Sequence, residues 1–287
     1  MRAPVRIDFA GGWTDVPDFA GREGGAVLNA AIDRYVDGWT CWDERGFTMR
    51  FRLDLPPDSH LGSSSAIDLA WLKLTFALIG ERRSAAELAE TSFRLERLLG
   101  QKGGKQDDYA AALGGIHLLR FGGADDPVGI EPIALPEALR RDLEARLALA
   151  FAGPPEEGSS ALHEEVWRRY RADDEATAAA LRWLRDLVEP CQEAMTAGDW
   201  AALGQNLDET TETVKRLHPG LVTQRMERLF ALARRAGAIG AKGCGAGGGG
   251  YLLFLCGDGR RDAVARALAA EGADPLPFRF APREMET

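Results

Sequence analysis

The feature that most constrains the fold is AKGCGAGGGGYLLFLC (241–256), where a glycine-rich run meets an unbroken apolar run. YLLFLC (251–256) has no alternation, so it reads as a strand covered on both faces. Glycines that lead at once into such a strand cannot be a loose linker. They are either a flexible hairpin or a place where backbone packs closely on another loop or on an anion. The strand also needs layers around it. Residues 161–236 supply helices, with breaks near Gly198-Asp199 and His218-Pro219-Gly220. RDAVARALAAEG (261–272) adds a helix, and PLPFRFAP (275–282) a final strand.

The first half reads differently. APVRIDFA (3–10) is a strand, GGW (11–13) breaks it, and TDVPDFAGREGG (14–25) is a loop rich in turn residues. AVLNAAIDRYVDGWTCW (26–42) has the content of one or two strands, and FTMRFRLDL (47–55) alternates with period two. An apolar helix runs from Ala66 to Ile79. A capping box at Ser84 and Glu87 opens the next helix, to about Leu99, and KQDDYAAAL (105–113) is a shorter one before the strand IHLLRF (116–121). RLALAFAG (146–153) begins the second half with a buried strand. These patterns give an α+β chain of two domains, 1–143 and 144–287. At 287 residues the chain is long enough for both cores.

The net charge of −9 argues against nucleic acid or an anionic membrane as a partner. No apolar run is long enough to span a bilayer. The four cysteines are scattered without a CxxC pair, and the four histidines share no ligand spacing, which favours a reducing cytoplasm over a disulfide or zinc scaffold.

Several residues stand out chemically. Gly62-Ser63-Ser64-Ser65 leads into the Ala66 helix. It is either a redundantly capped helix or an anion site built on a helix N-terminus, with hydroxyls for phosphate or Mg²⁺. It is not a P-loop, since GxxxxGK[ST] is absent. Glu96 lies between Phe93 and Leu99 on its helix, so its carboxylate is expected to be partly buried and to need a partner. Asp107 opens a helix as a cap or as a proton acceptor, and Lys105 is solvated or faces phosphate. Arg6, in an apolar strand, is exposed on an edge or paired in a site. Asp15 caps a turn or binds hydroxyls.

Taken together, RAPVRIDFAGGWTDVP (2–17), LPPDSHLGSSSA (55–66) and KGCGAGGGG (242–250) resemble, in order, the three motifs of the GHMP kinases. The first and third, with GGKQDDYAAALGG (103–115), are most similar to the branch containing heptose 7-phosphate kinase and L-fucokinase. The resemblance implies a two-domain fold, the first domain like ribosomal protein S5 domain 2 and the second ferredoxin-like, with ligands between them. It implies ATP and Mg²⁺ as cofactors and a small-molecule sugar or sugar phosphate as partner; a homodimer is compatible with it. By resemblance, Gly62, Ser63, Ser64 and Ser65 wrap the phosphates with Lys105 nearby, and Ser64 and Glu96 hold Mg²⁺. Asp107 is the catalytic acid with Arg6 beside it. Gly12, Thr14 and Asp15, with Gly245, Ala246, Gly247 and Gly248, attend the substrate. Two departures are visible: His60-Leu61-Gly62 stands where the family has Gly-Leu-Gly, and the connection from Ile32 to Leu55 is short, lacking the family's adenine-holding segment. The alternative function is therefore a sugar-binding sensor or scaffold that does without nucleotide. A non-sugar alcohol as acceptor is a third reading.

Overall fold

The computed structural model describes residues 1–44, 46–155, 159–245 and 247–283. Strand β1 (Arg2–Ala10) is followed by helix α1 (Pro17–Glu23). The sequence favours a loop there, but Pro17 takes a first-turn position, where its missing N–H goes unnoticed, and Gly24 ends the helix at φ 73°. β2 (Gly25–Asp43) is one continuous strand, and β3 (Gly46–Leu53) returns along its far end. Next come α2 (Ser63–Ile79), α3 (Ala85–Leu98) and α4 (Gln106–Leu113), then β4 (Ile116–Phe121), β5 (Gly129–Pro132) and α5 (Glu137–Arg146). β2 is the spine of this five-stranded sheet: it pairs antiparallel with β1, β4 and β3, and β5 pairs β4 at the edge.

The second half runs β6 (Leu147–Phe151), α6 (Ser159–Arg171), α7 (Glu175–Asp186), α8 (Val188–Ala197), α9 (Trp200–Leu217), a 3-10 turn (Pro219–Leu221), α10 (Gln224–Ala236), β7 (Ala238–Gly243), β8 (Tyr251–Cys256), α11 (Arg261–Ala270) and β9 (Asp274–Pro275). The sheet order β7-β8-β6-β9 puts the first and third strands of this half in the middle, the ferredoxin-like arrangement. The domain boundary proposed at 143/144 falls within α5, between the last strand of one sheet and the first of the other.

Two differences from the sequence reading have clear physical causes. β7 occupies residues expected to belong partly to the glycine loop. Its AIGAKG sequence has little strand character, but α9 crosses so closely that a methyl at Gly240 would stand 2.4 Å from Gly204 Cα. Small residues are required there by the contact. The expected final strand pairs with β6 only at Asp274–Pro275. Leu276 N–H still donates to Leu149 of β6, and the chain then crosses to the other sheet, where Asp33 N–H donates to Arg279 and Ala281 N–H to Ala31.

The largest apolar cluster likewise joins the halves. Ile7, Phe9 and Leu28 share it with Leu149, Leu253, Leu255 and, from α8, Val188 and Met195. On β1, Val5, Ile7 and Phe9 face that core, so Arg6 and Asp8 occupy the opposite face by strand alternation. Among the described residues no helix is long and apolar enough to cross a membrane. The four cysteines are free.

Candidate functional site

The three serines before Ala66 have three different environments. α2 begins at Ser63 rather than Ala66, so all three lie in its first turn. Gly62 precedes it at φ 74°, a left-handed conformation that suits glycine. No side chain caps this N-terminus. Its first N–H groups, with the positive end of the dipole of a 17-residue helix, therefore point outward toward the cleft. Ser63 Oγ lies 3.3 Å from Ser59 Oγ, Ser64 is exposed at the cleft, and the buried Ser65 donates to Glu96 Oε1 at 2.7 Å. Burial, opposed by that hydrogen bond and helped by Asp107 and Asp68, pushes Glu96 up to about 7.

Arg6 is buried and reaches across to Asp107: its Nε and Nη2 both lie 2.7 Å from Asp107 Oδ1. Arg6 Nη1 donates to the His60 carbonyl at 2.8 Å, and Arg6 N–H to the Leu61 carbonyl. The Asp107 carboxylate rests against Gly62, where a methyl would meet it at 3.1 Å. The phosphate-loop candidate, the strand β1 and the start of α4 thus converge through one arginine.

The GGWTD turn brings Asp15 to the same place. Asp15 accepts from Gln106 N–H at 3.0 Å and from Gln106 Nε2 at 3.1 Å. Burial raises it to about 6, against the Gln106 backbone bond and with help from Asp107. Thr14 does not face the cleft. Its hydroxyl bonds Gly11 and Ala26 carbonyls and accepts from Ala26 N–H, fully buried, so it builds the turn instead of presenting itself to a ligand. The turn needs such ties because Trp13 sits at φ 81°, a conformation that costs a bulky residue about 1–3 kcal/mol.

From the second half, Gly245 reaches the cleft. Its N–H donates to Asp8 Oδ1 at 3.2 Å, and a methyl there would stand 2.7 Å from the His60 carbonyl. The glycine run is therefore a close backbone contact, not a loose hairpin. Gly12 and Gly247 line a separate small cavity of about 20 Å³ behind the loop, and Gly248 packs near Leu162 and Gly220. Ala246 lies outside the described residues. The His60 ring sits over Gly250, facing the glycine loop. Lys105 is neither solvated nor in the cleft. Its buried ammonium donates to Glu90 at 2.8 Å and lies 5.1 Å from the Phe93 ring centroid.

The resulting cleft, of about 170 Å³, is lined by Arg6, Trp13, Asp15, Ser64, Ser65, Glu96, Gln106, Asp107, His163 and Gly245, among others. No cluster of three or more His, Cys, Asp or Glu suited to a metal occurs among the described residues. Ser64 and Glu96 both line the cleft, and a hydroxyl and a carboxylate are oxygen donors of the kind that suit Mg²⁺.

Five participants were not evident from the sequence. Asp8 and Lys242 form a buried ion pair between β1 and β7, in which Lys242 Nζ also donates to the Asp8 and Gly243 carbonyls. Asp8 inside β1 and Lys242 inside β7, each a charge within a buried strand, were the signal for it. Trp13, Gln106 and His163 line the cleft, and each carries a buried polar atom without a hydrogen-bond partner: Trp13 Nε1, Gln106 Oε1 and His163 Nε2. His163 comes from α6, and no local pattern in the sequence places it there.

Known proteins resemble this chain over most of its length. Residues 26–115 match the family described as GHMP kinases N terminal domain, and residues 191–274 match GHMP kinases C terminal. The D-glycero-alpha-D-manno-heptose 7-phosphate kinase of Campylobacter jejuni is 24% identical over 327 aligned positions, covering 97% of this chain and 95% of that protein. An alignment longer than this chain of 287 residues means that the relative carries segments absent here. The bifunctional fucokinase/GDP-fucose pyrophosphorylase of Arabidopsis thaliana is 25% identical over 96% of this chain, which spans only 31% of that protein. The crystal structure of a D-glycero-D-manno-heptose 1-phosphate kinase from Bacteroides thetaiotaomicron superposes with a TM-score of 0.77 at 22% identity, covering 100% of this chain and 99% of the other. With both domains of one family in order along the chain, and their folds enclosing one cleft, the protein belongs to the GHMP kinase family of enzymes.

Proposed function

We propose that the protein is an ATP- and Mg²⁺-dependent kinase that phosphorylates a sugar hydroxyl, the anomeric hydroxyl of a heptose 7-phosphate or a related sugar. The observation that carries this reading is that Arg6, Ser64, Glu96 and Asp107, far apart in sequence, line a single cleft at an uncapped helix N-terminus. Phosphoryl transfer needs little covalent help from a protein. It needs positioning, a proton acceptor and stabilisation of spread negative charge.

The residues divide those tasks. Asp107 has Oδ1 committed to Arg6, which fixes the carboxylate so that it can orient the acceptor hydroxyl and take its proton. The hydroxyl oxygen then bonds to the γ-phosphorus as the bond to the leaving ADP oxygen breaks. Arg6 and the α2 N–H groups stabilise charge on the transferred oxygens. Ser64 and Glu96 are the residues that would hold Mg²⁺, which would supply positive charge against the charge on the phosphate. Asp15, fixed by Gln106, would accept from substrate hydroxyls.

A second reading, a sugar-binding relative that does without nucleotide, is favoured by one feature: the connection from Ile32 to Leu55 is short, filled by the end of β2 and its return as β3, and lacks the segment that holds adenine in the family. Calorimetry with ATP and Mg²⁺ separates the two, since sugar binding without nucleotide binding supports the second. The direct test is a coupled assay for ADP release with heptose 7-phosphate, fucose and galactose as acceptors. No turnover with any of them would remove the kinase reading.

A further inference from the structure

Three residues that line the cleft carry polar atoms whose bonding is unfinished. Trp13 Nε1, Gln106 Oε1 and His163 Nε2 are each buried without a partner. Their side chains line the cleft together with Asp15 and Asp107. Buried polar atoms are nearly always bonded, so each exception calls for a reason, and a binding role is one for those that line a cleft. Here the exceptions come from three separate parts of the chain: the GGWTD turn, α4 and α6. The indole of Trp13 and the ring of His163 lie face against face, with centroids 4.1 Å apart and planes 32° from parallel. Trp13 is held there in a strained left-handed conformation, which the Thr14 bonds maintain.

The chemistry of the three atoms narrows what fits. An indole N–H can only donate. Gln106 spends its amide donor on Asp15, which leaves Oε1 as an acceptor. Burial, and after it His60, push His163 down to about 4, so its ring is neutral near pH 7. An anionic group would meet the acceptor oxygen of Gln106 with the Asp15, Glu96 and Asp107 carboxyls nearby. An ammonium would meet the Trp13 N–H. A hydroxyl both donates and accepts, and neighbouring hydroxyls on one carbon chain can satisfy all three atoms.

We propose that Trp13, Gln106 and His163 form the specificity-determining subsite of the acceptor, and that they read a neutral run of neighbouring hydroxyls, with any phosphate on the substrate held elsewhere. This rests on the kinase reading only for the word acceptor; the binding claim stands apart from turnover.

The test is calorimetry on the full chain without nucleotide, using L-fucose, D-galactose and D-glycero-D-manno-heptose 7-phosphate as probes. Trp13→Phe keeps an aromatic ring and removes the N–H, and His163→Leu removes the ring nitrogens. Each is expected to weaken the sugar that wild type binds by about 10-fold, the effect of one or two hydrogen bonds. A mono-deoxy analogue of that sugar should lose a similar factor against wild type and nothing further against the variant missing its partner. Circular dichroism establishes that the variants are folded; if Trp13→Phe is not, His163→Leu and the deoxy series carry the same readout on their own. Unchanged affinity in folded variants overturns the subsite, as does a wild type that binds none of the three probes. Turnover is measured in parallel: binding that depends on Trp13 and His163 without any ADP release would sink the kinase reading and leave the subsite standing.

Discussion

Arg6 holds Asp107 through two nitrogens on one oxygen, with Nε and Nη2 both 2.7 Å from Oδ1. The same guanidinium donates to the His60 carbonyl, so the acid, the strand and the approach to the phosphate loop are fixed as a unit. Asn at position 107 can still accept from Arg6 through its carbonyl oxygen but cannot take a proton. Asp107→Asn is expected to fold normally, to bind sugar, and to lose about 10²–10⁴-fold in turnover. The coupled assay and calorimetry check this, and wild-type turnover would take Asp107 out of its proposed role.

Ser64 and Ser65 should separate stability from activity. Ser65 is buried and bonds Glu96, so Ser65→Ala leaves that carboxyl without its donor and is expected to cost about 1–3 kcal/mol in urea unfolding. Ser64 is exposed at the cleft. Ser64→Ala is expected to change stability by less than about 0.5 kcal/mol while lowering turnover and raising the Mg²⁺ needed for half-maximal rate. The reverse pattern would assign the metal to Ser65.

The buried Lys242–Asp8 pair joins β7 to β1 and, through Asp8, the Gly245 N–H. Lys242→Met removes one charge of a buried pair and is expected to destabilise by about 3–5 kcal/mol, as broken buried pairs do. Adding Asp8→Asn should restore part of the loss, because the buried Asp8 carboxylate would otherwise be left with Arg6, 3.7 Å away, as its remaining cation. A denaturation series on the two single variants and the double variant measures the coupling. Simple additivity would mean that the pair does not act as one.

His117 supplies a pH prediction with a definite sign. Burial, and after it Arg283, outweigh a backbone contact at Gly114 and push this histidine from 6.5 to about 4. The unfolded chain therefore takes up the proton first as pH falls. The stability this residue supplies is complete above about 6.5 and is lost progressively down to about 4. His117→Gln cannot titrate. Relative to wild type its unfolding free energy should be constant above pH 6.5 and improve below it, by on the order of 1–3 kcal/mol at pH 4. A difference between the two that does not change with pH would mean that His117 is not held neutral by the fold.

Much of the fold is legible locally. The alternation in 47–55, the capping box at Ser84 and the apolar run at 251–256 each report one element, and each is found. Where local reading falls short, a neighbour supplies the reason. AIGAKG is a strand because it pairs with β8, and its small residues let Gly204 of α9 lie against Gly240. Lys105 turns away from the cleft because Glu90 and Phe93 offer its ammonium a buried partner. Thr14 looks like a substrate contact but is consumed by the backbone of its own turn.

The sequence by itself determined the motifs, their order, and the residue types that phosphoryl transfer needs, because those depend on chemistry carried by single side chains and short runs. Only the tertiary structure decided which of those side chains meet. Arg6 and Asp107 are 101 residues apart, and Asp8 and Lys242 are 234 apart. His163 reaches Trp13 from a helix in the other half. Contacts over such separations are set by how two sheets share one apolar core, a property of the packed whole that no local period in the sequence records.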